Sequence, residues 1–214
     1  NNATRSLLPG VFVLGVFCAL ILAQPDFGMT VLLILVIAAM YMVSGLDIKY
    51  FFYSAMAAVP AVYFMASQSE YRRRRLLSFL NPWKDPRGAG FQAVQSFLAF
   101  GSGGVTGVGL GKSTQKLYFL PESHTDFIFS IIGEELGFVG ALIVVLLFFI
   151  IMMQGIRAAC RLGDLYRKLV AFGVIFMITI EAVINIFVSL GVFPTKGLPL
   201  PFVSYGGTNL VVHL

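Results

Sequence analysis

Charged side chains are scarce in this chain: Asp, Glu, Lys and Arg make up 12% of its 214 residues, whereas 58% are hydrophobic and 21 are Phe. With a mean hydropathy of +0.88, that shortage excludes an ordinary soluble domain and points to a polytopic membrane protein. Cysteine is nearly absent as well. Cys18 and Cys160 are the only two, one inside an apolar run and one near the end of another, which supports neither a disulfide framework nor a metal-binding cysteine motif and suits small packing residues. No small-residue cleavage pattern of a secretory signal follows the first apolar run. No soluble nucleic-acid recognition module is present either, so nucleic acid is excluded as a partner.

What is present is a series of apolar runs, at 9–24, 29–46, 50–67, 136–154, 169–193 and 201–214. Several approach or exceed the roughly 18 to 20 residues a helix needs to cross about 30 Å of hydrocarbon. Pro60, in the third run, is tolerable in a membrane helix whose neighbours satisfy the freed carbonyl. These runs predict an all-α fold, a polytopic transmembrane helix bundle in which residues 1–214 form part of a single membrane domain, with five full spans and one interrupted span. No Met opens the chain and the last run is cut at "VVHL", so a piece of a longer protein is expected.

Residues 68–127 form one long polar segment. Connections of this length are functional or disordered, and this one is not low-complexity: "FLNPWKDPRGAGFQAVQSFLAF" keeps apolar residues spaced for packing, with Trp83 suited to a membrane interface. An ordered, partly helical loop on the membrane surface is predicted. Charge pulls the orientation two ways. Arg5, Lys49, Arg157, Arg161, Arg167 and Lys168 fall on one side of the expected spans, and the loop's basic residues with Lys196 on the other. If the loop lies outside the cell, Arg72, Arg73, Arg74 and Arg75 are kept there against the positive-inside tendency. Binding an anionic substrate is one reason; contact with lipid head groups is the plainer one.

"GSGGVTGVGLGKST", residues 101–114, fails as a phosphate loop, because the glycine that a Walker motif needs five positions before Gly111 is Thr106. Two readings remain: a glycine-rich turn whose amides line an anion-binding concavity beside Lys112 and Lys116, or a plain flexible turn.

Acidic residues concentrate in "LPESHTDFIFSIIGEELG", residues 120–137, which holds four of the ten: Glu122, Asp126, Glu134 and Glu135. Helix capping accounts for part of this. Ser123 or Thr125 can cap a starting helix, and an acid near its first turn is favoured by the helix dipole. Pro121 and His124 favour an irregular start with Asp126 near it. His124 and Asp126 are too few ligands to define a metal site, although a hard cation such as magnesium could bridge a carboxylate to a phosphate. Glu134 and Glu135, further in, read as helix-face residues. In the apolar run at 169–193, Glu181 and Asn185 sit one helical turn apart. Ionisable groups at that depth face the bundle interior; here a neutral Glu181 bonded to Asn185 or a neighbouring helix is the simpler expectation, and the lining of a path the alternative.

The segments "GFQAVQSFLAFGSGGVTGVGLGKSTQKLYFLPESHTDFIFSIIGEELGFVG" and "FPTKGLPLPFVSYGGTN", with "QPDFGMT" at 24–30, closely resemble the FtsW/RodA/SpoVE family of bacterial cell-wall proteins. "GLGKSTQK" and "FLNPWKDP" look most like its division branch, FtsW, or the sporulation relative. The resemblance implies ten membrane helices in the bacterial cytoplasmic membrane, with the long loop, between helices seven and eight, extracytoplasmic. This chain would start before helix five and stop inside helix ten, without the helices that complete the central cavity. Glu181 departs from the neutral amide expected in many relatives. The implied activity is polymerisation of the lipid-linked disaccharide-peptide lipid II into glycan strands, alongside a class B penicillin-binding protein acting as transpeptidase and other divisome or elongation proteins. Lipid II transport, or scaffolding of division proteins, are the rival activities. Asp126, in "HTDF", falls on the family's essential loop aspartate. The resemblance makes Lys112, Lys116 and Arg72 to Arg75 candidates for diphosphate contact, and Glu122 and His124 candidates for positioning or tuning Asp126. "PFVSYGGTN" reads as architecture at a helix start, its glycines permitting close helix contact.

Overall fold

The structure, a computed structural model, describes residues 2–24, 26–47, 78–118, 120, 121, 124–195 and 197–206, with 49, 56 and 211 as isolated positions. The described residues build six α-helices: α1 (Asn2–Ala23), α2 (Phe27–Val43), α3 (Phe91–Gly103), the short α4 (Thr114–Tyr118), α5 (Ile128–Cys160) and α6 (Leu165–Ser189). A 3-10 turn, Pro82–Lys84, precedes α3. No strand occurs among the described residues. The fold is an all-α membrane helix bundle, and α5 and α6 are long and apolar enough to cross a membrane.

Local chemistry sets several helix starts. Asp26 caps α2 by accepting the Met29 amide at 3.0 Å, and Asp164 caps α6 by accepting that of Arg167 at 3.1 Å, each satisfying an amide that has no partner within its helix. The start of α5 differs from expectation. Its first cap position is Phe127, with no side-chain cap bond, so Thr125 stands too early to cap it and Asp126 lies just before the helix; Ser123 lies outside the described residues.

The apolar runs at 9–24, 29–46 and 169–193 correspond to α1, α2 and α6 within a few residues at most ends. The run at 136–154 underestimates α5, which begins at Ile128 because Ser130 and Glu134 are buried against α3 and the preceding loop rather than facing lipid. The run at 50–67 with Pro60 lies almost wholly outside the described residues. At 201–205 the chain turns instead of starting a helix. The predicted partly helical character of 68–127 is seen in α3, α4, the 3-10 turn and a helical stretch at 78–80.

Helix α5 packs against both α6 and α3, α2 lies on α6, and α1 lies on α2. One core cluster joins Leu32 and Val36 of α2 to Ile131 of α5 and Ile184 and Val188 of α6, and takes in the loop residues Leu120, Phe127 and Leu198. A second joins Phe129 and Ala141 to Ala182, Ile186 and the fully buried Leu200. Segments on either side of the helices are thus anchored inside the bundle by side chains at their middles. Three serines connect α3, α5 and α6. Ser96 donates to the Ser189 carbonyl at 2.5 Å, which leaves its oxygen to accept from Ser130 at 2.6 Å, the kind of small-residue polar contact that joins helices where water is absent.

Candidate functional site

Helix α5 is broken at Gly137, whose backbone (φ 68°, ψ −165°) lies in a region open essentially to glycine alone. An unbroken helix would bond the Phe138 amide to the Glu134 carbonyl and the Val139 amide to that of Glu135. Instead, Phe138 donates to Gly104 O at 2.9 Å and Val139 to Val105 O at 3.3 Å, while Val108 and Gly109 donate to the Glu134 and Glu135 carbonyls, both at 3.0 Å. The glycine-rich loop therefore supplies, in place, the groups that the break removes. The two backbones are in contact: a Cβ on Gly107 would stand 2.2 Å from Glu135 O, and one on Gly137 would stand 2.4 Å from Gly107 N. Only glycine permits that approach.

This corrects the reading of the glycine-rich loop as a plain flexible turn. It is not a loose turn, and the amides of Gly104, Gly107, Val108, Gly109 and Lys112 all donate to backbone carbonyls, so they are not available to an anion.

Glu134 completes the docking. It is 1% exposed and accepts from the Ser113 hydroxyl, the Thr114 hydroxyl at 3.0 Å and the Thr114 amide at 3.2 Å. Ser113 in turn caps α4 by accepting the Lys116 amide at 3.0 Å. A buried carboxylate must be hydrogen-bonded to be tolerated, and this one is bonded three times by Ser113 and Thr114. The expectation of a helix-face residue is therefore overturned for Glu134.

Asp126 sits in the turn before α5, half-buried. Three consecutive carbonyls of this turn are gripped by donors from far along the chain. His124 O accepts the Tyr205 amide at 2.8 Å, Thr125 O accepts the Ser204 hydroxyl at 2.5 Å, and Asp126 O accepts the Asn185 side-chain amide at 2.9 Å. Asn185, 1% exposed, gives its other amide proton to Leu198 O at 2.7 Å, so its bonds run to backbone carbonyls and not to Glu181. Ser204 also accepts the Leu200 amide at 2.7 Å. The segment 197–205 is thereby laid against the Asp126 turn, and a Cβ on Gly197 would stand 3.2 Å from Asp126 Oδ2. "PFVSYGGTN" thus contributes a serine hydroxyl and a tyrosine amide to this turn, more than the glycine-based helix contact expected of it.

Comparison with known proteins shows the family. The profile of the cell-cycle protein family FtsW/RodA/SpoVE matches residues 1–214. The chain belongs to the FtsW/RodA/SpoVE family. It is 43% identical over 211 residues to the "Probable peptidoglycan glycosyltransferase FtsW" of Geobacter sulfurreducens, covering 99% of this chain and 57% of that protein. It is 41% identical over 210 residues to the stage V sporulation protein E of Bacillus subtilis, covering 98% and 57%. Among solved structures it resembles a chain of a peptidoglycan synthase complex, described for its structural coordination of polymerization and crosslinking (TM-score 0.77, 28% identity, 98% of this chain and 58% of that one). It also resembles the rod shape determining protein RodA of Thermus thermophilus (TM-score 0.63, 26% identity, 97% and 52%). The chain spans little more than half the length of the FtsW and SpoVE relatives it matches, 57% of each of these two.

The family residues singled out in the sequence fall in two regions. Lys112, exposed, rides on the glycine-rich loop and Lys116, half-buried, on α4 just after it; His124, exposed, and Asp126 ride on the turn before α5. Glu122 and Arg72 to Arg75 lie outside the described residues. Glu181 is buried in α6, one turn before Asn185. Among the described residues no group of three or more His, Cys, Asp or Glu side chains is placed to hold an ion. Sequence reasoning missed the structural parts of Glu134, Asn185 and Ser204. A glutamate eight residues past the loop aspartate and an intramembrane asparagine were both visible, but their partners were not.

Proposed function

We propose that the full-length protein is a membrane-embedded peptidoglycan glycosyltransferase that polymerises lipid II in the bacterial cytoplasmic membrane, in cell division or a closely related process. The carrying observation is the turn at 124–126, whose backbone is held at three successive carbonyls in a family whose relatives include proteins named for this activity.

In this reaction the 4-hydroxyl oxygen of the acceptor sugar attacks the anomeric carbon of the donor. The bond from that carbon to undecaprenyl diphosphate breaks, with its electron pair leaving on the diphosphate, and inversion gives a β-linked strand. Asp126 takes the hydroxyl proton as general base, a role worth typically about 10²- to 10⁴-fold in rate. Charge growing on the diphosphate needs cations aimed at it, and Lys112, Lys116 and Arg72 to Arg75 are assigned to it. Glu122 and His124 are assigned to positioning or tuning Asp126. A class B penicillin-binding protein is the proposed transpeptidase partner, with the long loop on the outer face of the membrane.

A lipid II transporter would use polar groups within α6. Asn185 is poorly suited to such a path, since both of its amide protons are engaged by backbone carbonyls. The test is Asp126→Asn in the full-length protein, assayed for strand formation from purified lipid II with the partner present. Loss of polymerisation with normal lipid translocation and normal recruitment of division proteins is the expected outcome; undiminished polymerisation would sink the proposal.

A further inference from the structure

We propose that Asn185 and Ser204 are positioning residues for Asp126, setting its carboxylate through the backbone of its own turn. The inference rests on the general-base reading of Asp126.

Three observations carry it. First, the donors are placed singly on successive carbonyls, Ser204 on Thr125 and Asn185 on Asp126, so the peptide planes on both sides of the Asp126 Cα are held and with them the direction of its Cα–Cβ bond. Second, each of the two also holds segment 197–205, Asn185 through Leu198 O and Ser204 through the Leu200 amide. Gly197 is thereby brought against the carboxylate, where a Cβ would stand 3.2 Å from Oδ2. Third, this segment holds the only non-glycine residue with positive φ among the described residues, Phe202 at 63°. Such a conformation persists only where surrounding contacts over-determine it, and here they include the fully buried Leu200, the buried Pro201 and the Ser204 bonds.

The grip also explains why a polar side chain sits buried in α6. Asn185 Oδ1 has no partner among the described residues. An unsatisfied buried acceptor is a cost, tolerated here beside two well-made bonds from the same amide. Asparagine offers two N–H donors from one atom, and aspartate at this position would offer none while facing the same two carbonyls.

The experiment measures strand synthesis from purified lipid II by the full-length protein with its transpeptidase, for wild type, Asn185→Ala, Ser204→Ala, Ser204→Thr and Asp126→Asn. Turnover is expressed per folded molecule, with folding followed by thermal melting in detergent. Both alanine variants are expected to lose kcat by about 10²-fold, the scale of a misplaced catalytic group, with KM within about twofold, since substrate binding is not their task. Threonine at 204 keeps the hydroxyl and is expected to return most of the loss. If both alanine variants turn over within about threefold of wild type per folded molecule while Asp126→Asn is inactive, the positioning proposal is overturned and the general-base reading survives. A Ser204→Thr variant as slow as Ser204→Ala also overturns it, because the hydroxyl is then not what matters. Activity in Asp126→Asn removes the general-base reading, and this proposal with it.

Discussion

Two loops precede the same helix and are held in opposite ways. The glycine-rich loop is held from α5, by a backbone exchange across the Gly137 break and by the Glu134 carboxylate, through partners about 20 to 35 residues distant in sequence. The Asp126 turn is held from α6 and from segment 197–205, by donors reaching its carbonyls across 59 and 79 residues. The two acids make the difference plain. Glu134 has its carboxylate committed to Ser113 and Thr114 and is 1% exposed, whereas the grip on the Asp126 turn is on its backbone and the residue is half-buried. Burial together with several donors marks a carboxylate that builds the fold. A backbone gripped at successive carbonyls marks a turn whose placement the fold specifies.

The comparison can be broken most severely at the helix break. Gly137→Val is expected to abolish folding of the full-length protein: the backbone conformation alone costs about 1–3 kcal/mol, and the new side chain would collide with Gly107 N and Val105 O, which a Cβ meets at 2.4 and 2.5 Å. A normal thermal melt in detergent would show that the loop is not docked there. Next in size is Glu134→Ala, which strands the buried Ser113 hydroxyl and releases the two Thr114 donors, and is expected to cost about 1–3 kcal/mol. Hydrogen exchange should then lose protection at the Val108 and Gly109 amides but keep it at Tyr205, whose amide belongs to the other loop; equal loss at both would mean that the two loops form one unit. Ser113→Ala removes the cap of α4 and a bond to Glu134, for about 1 kcal/mol. Lys112→Ala, on an exposed side chain, should change stability by less than about 0.5 kcal/mol while raising KM for lipid II if the lysine meets the diphosphate.

Much of the scaffold was legible in the sequence. Apolar runs locate α1, α2 and α6, Asp126 lies at an irregular helix start, and the partly helical character expected of the long polar segment is seen in its described residues. Other features were not legible for a common reason. Glycines at 103, 104, 107, 109 and 111 signalled a turn, but a free turn and a loop docked into a broken helix have the same composition. Gly137 looked like one more small residue in an apolar run, because its φ is set by what fills the break. Glu134 carried no local sign of burial, since its partners Ser113 and Thr114 are ordinary polar residues of a loop.

By itself, the sequence determined the solvent of this protein, the helices that meet it, and the stretch where chemistry-bearing residues gather, because hydropathy and helix-start signals are properties of neighbouring residues. Tertiary structure alone decided which of the gathered acids is sealed into the fold and which is presented on a gripped turn. Hydrogen-bond partners such as Asn185 and Ser204 are chosen by proximity after packing, and in the linear chain they stand 59 and 79 residues from the carbonyls they hold.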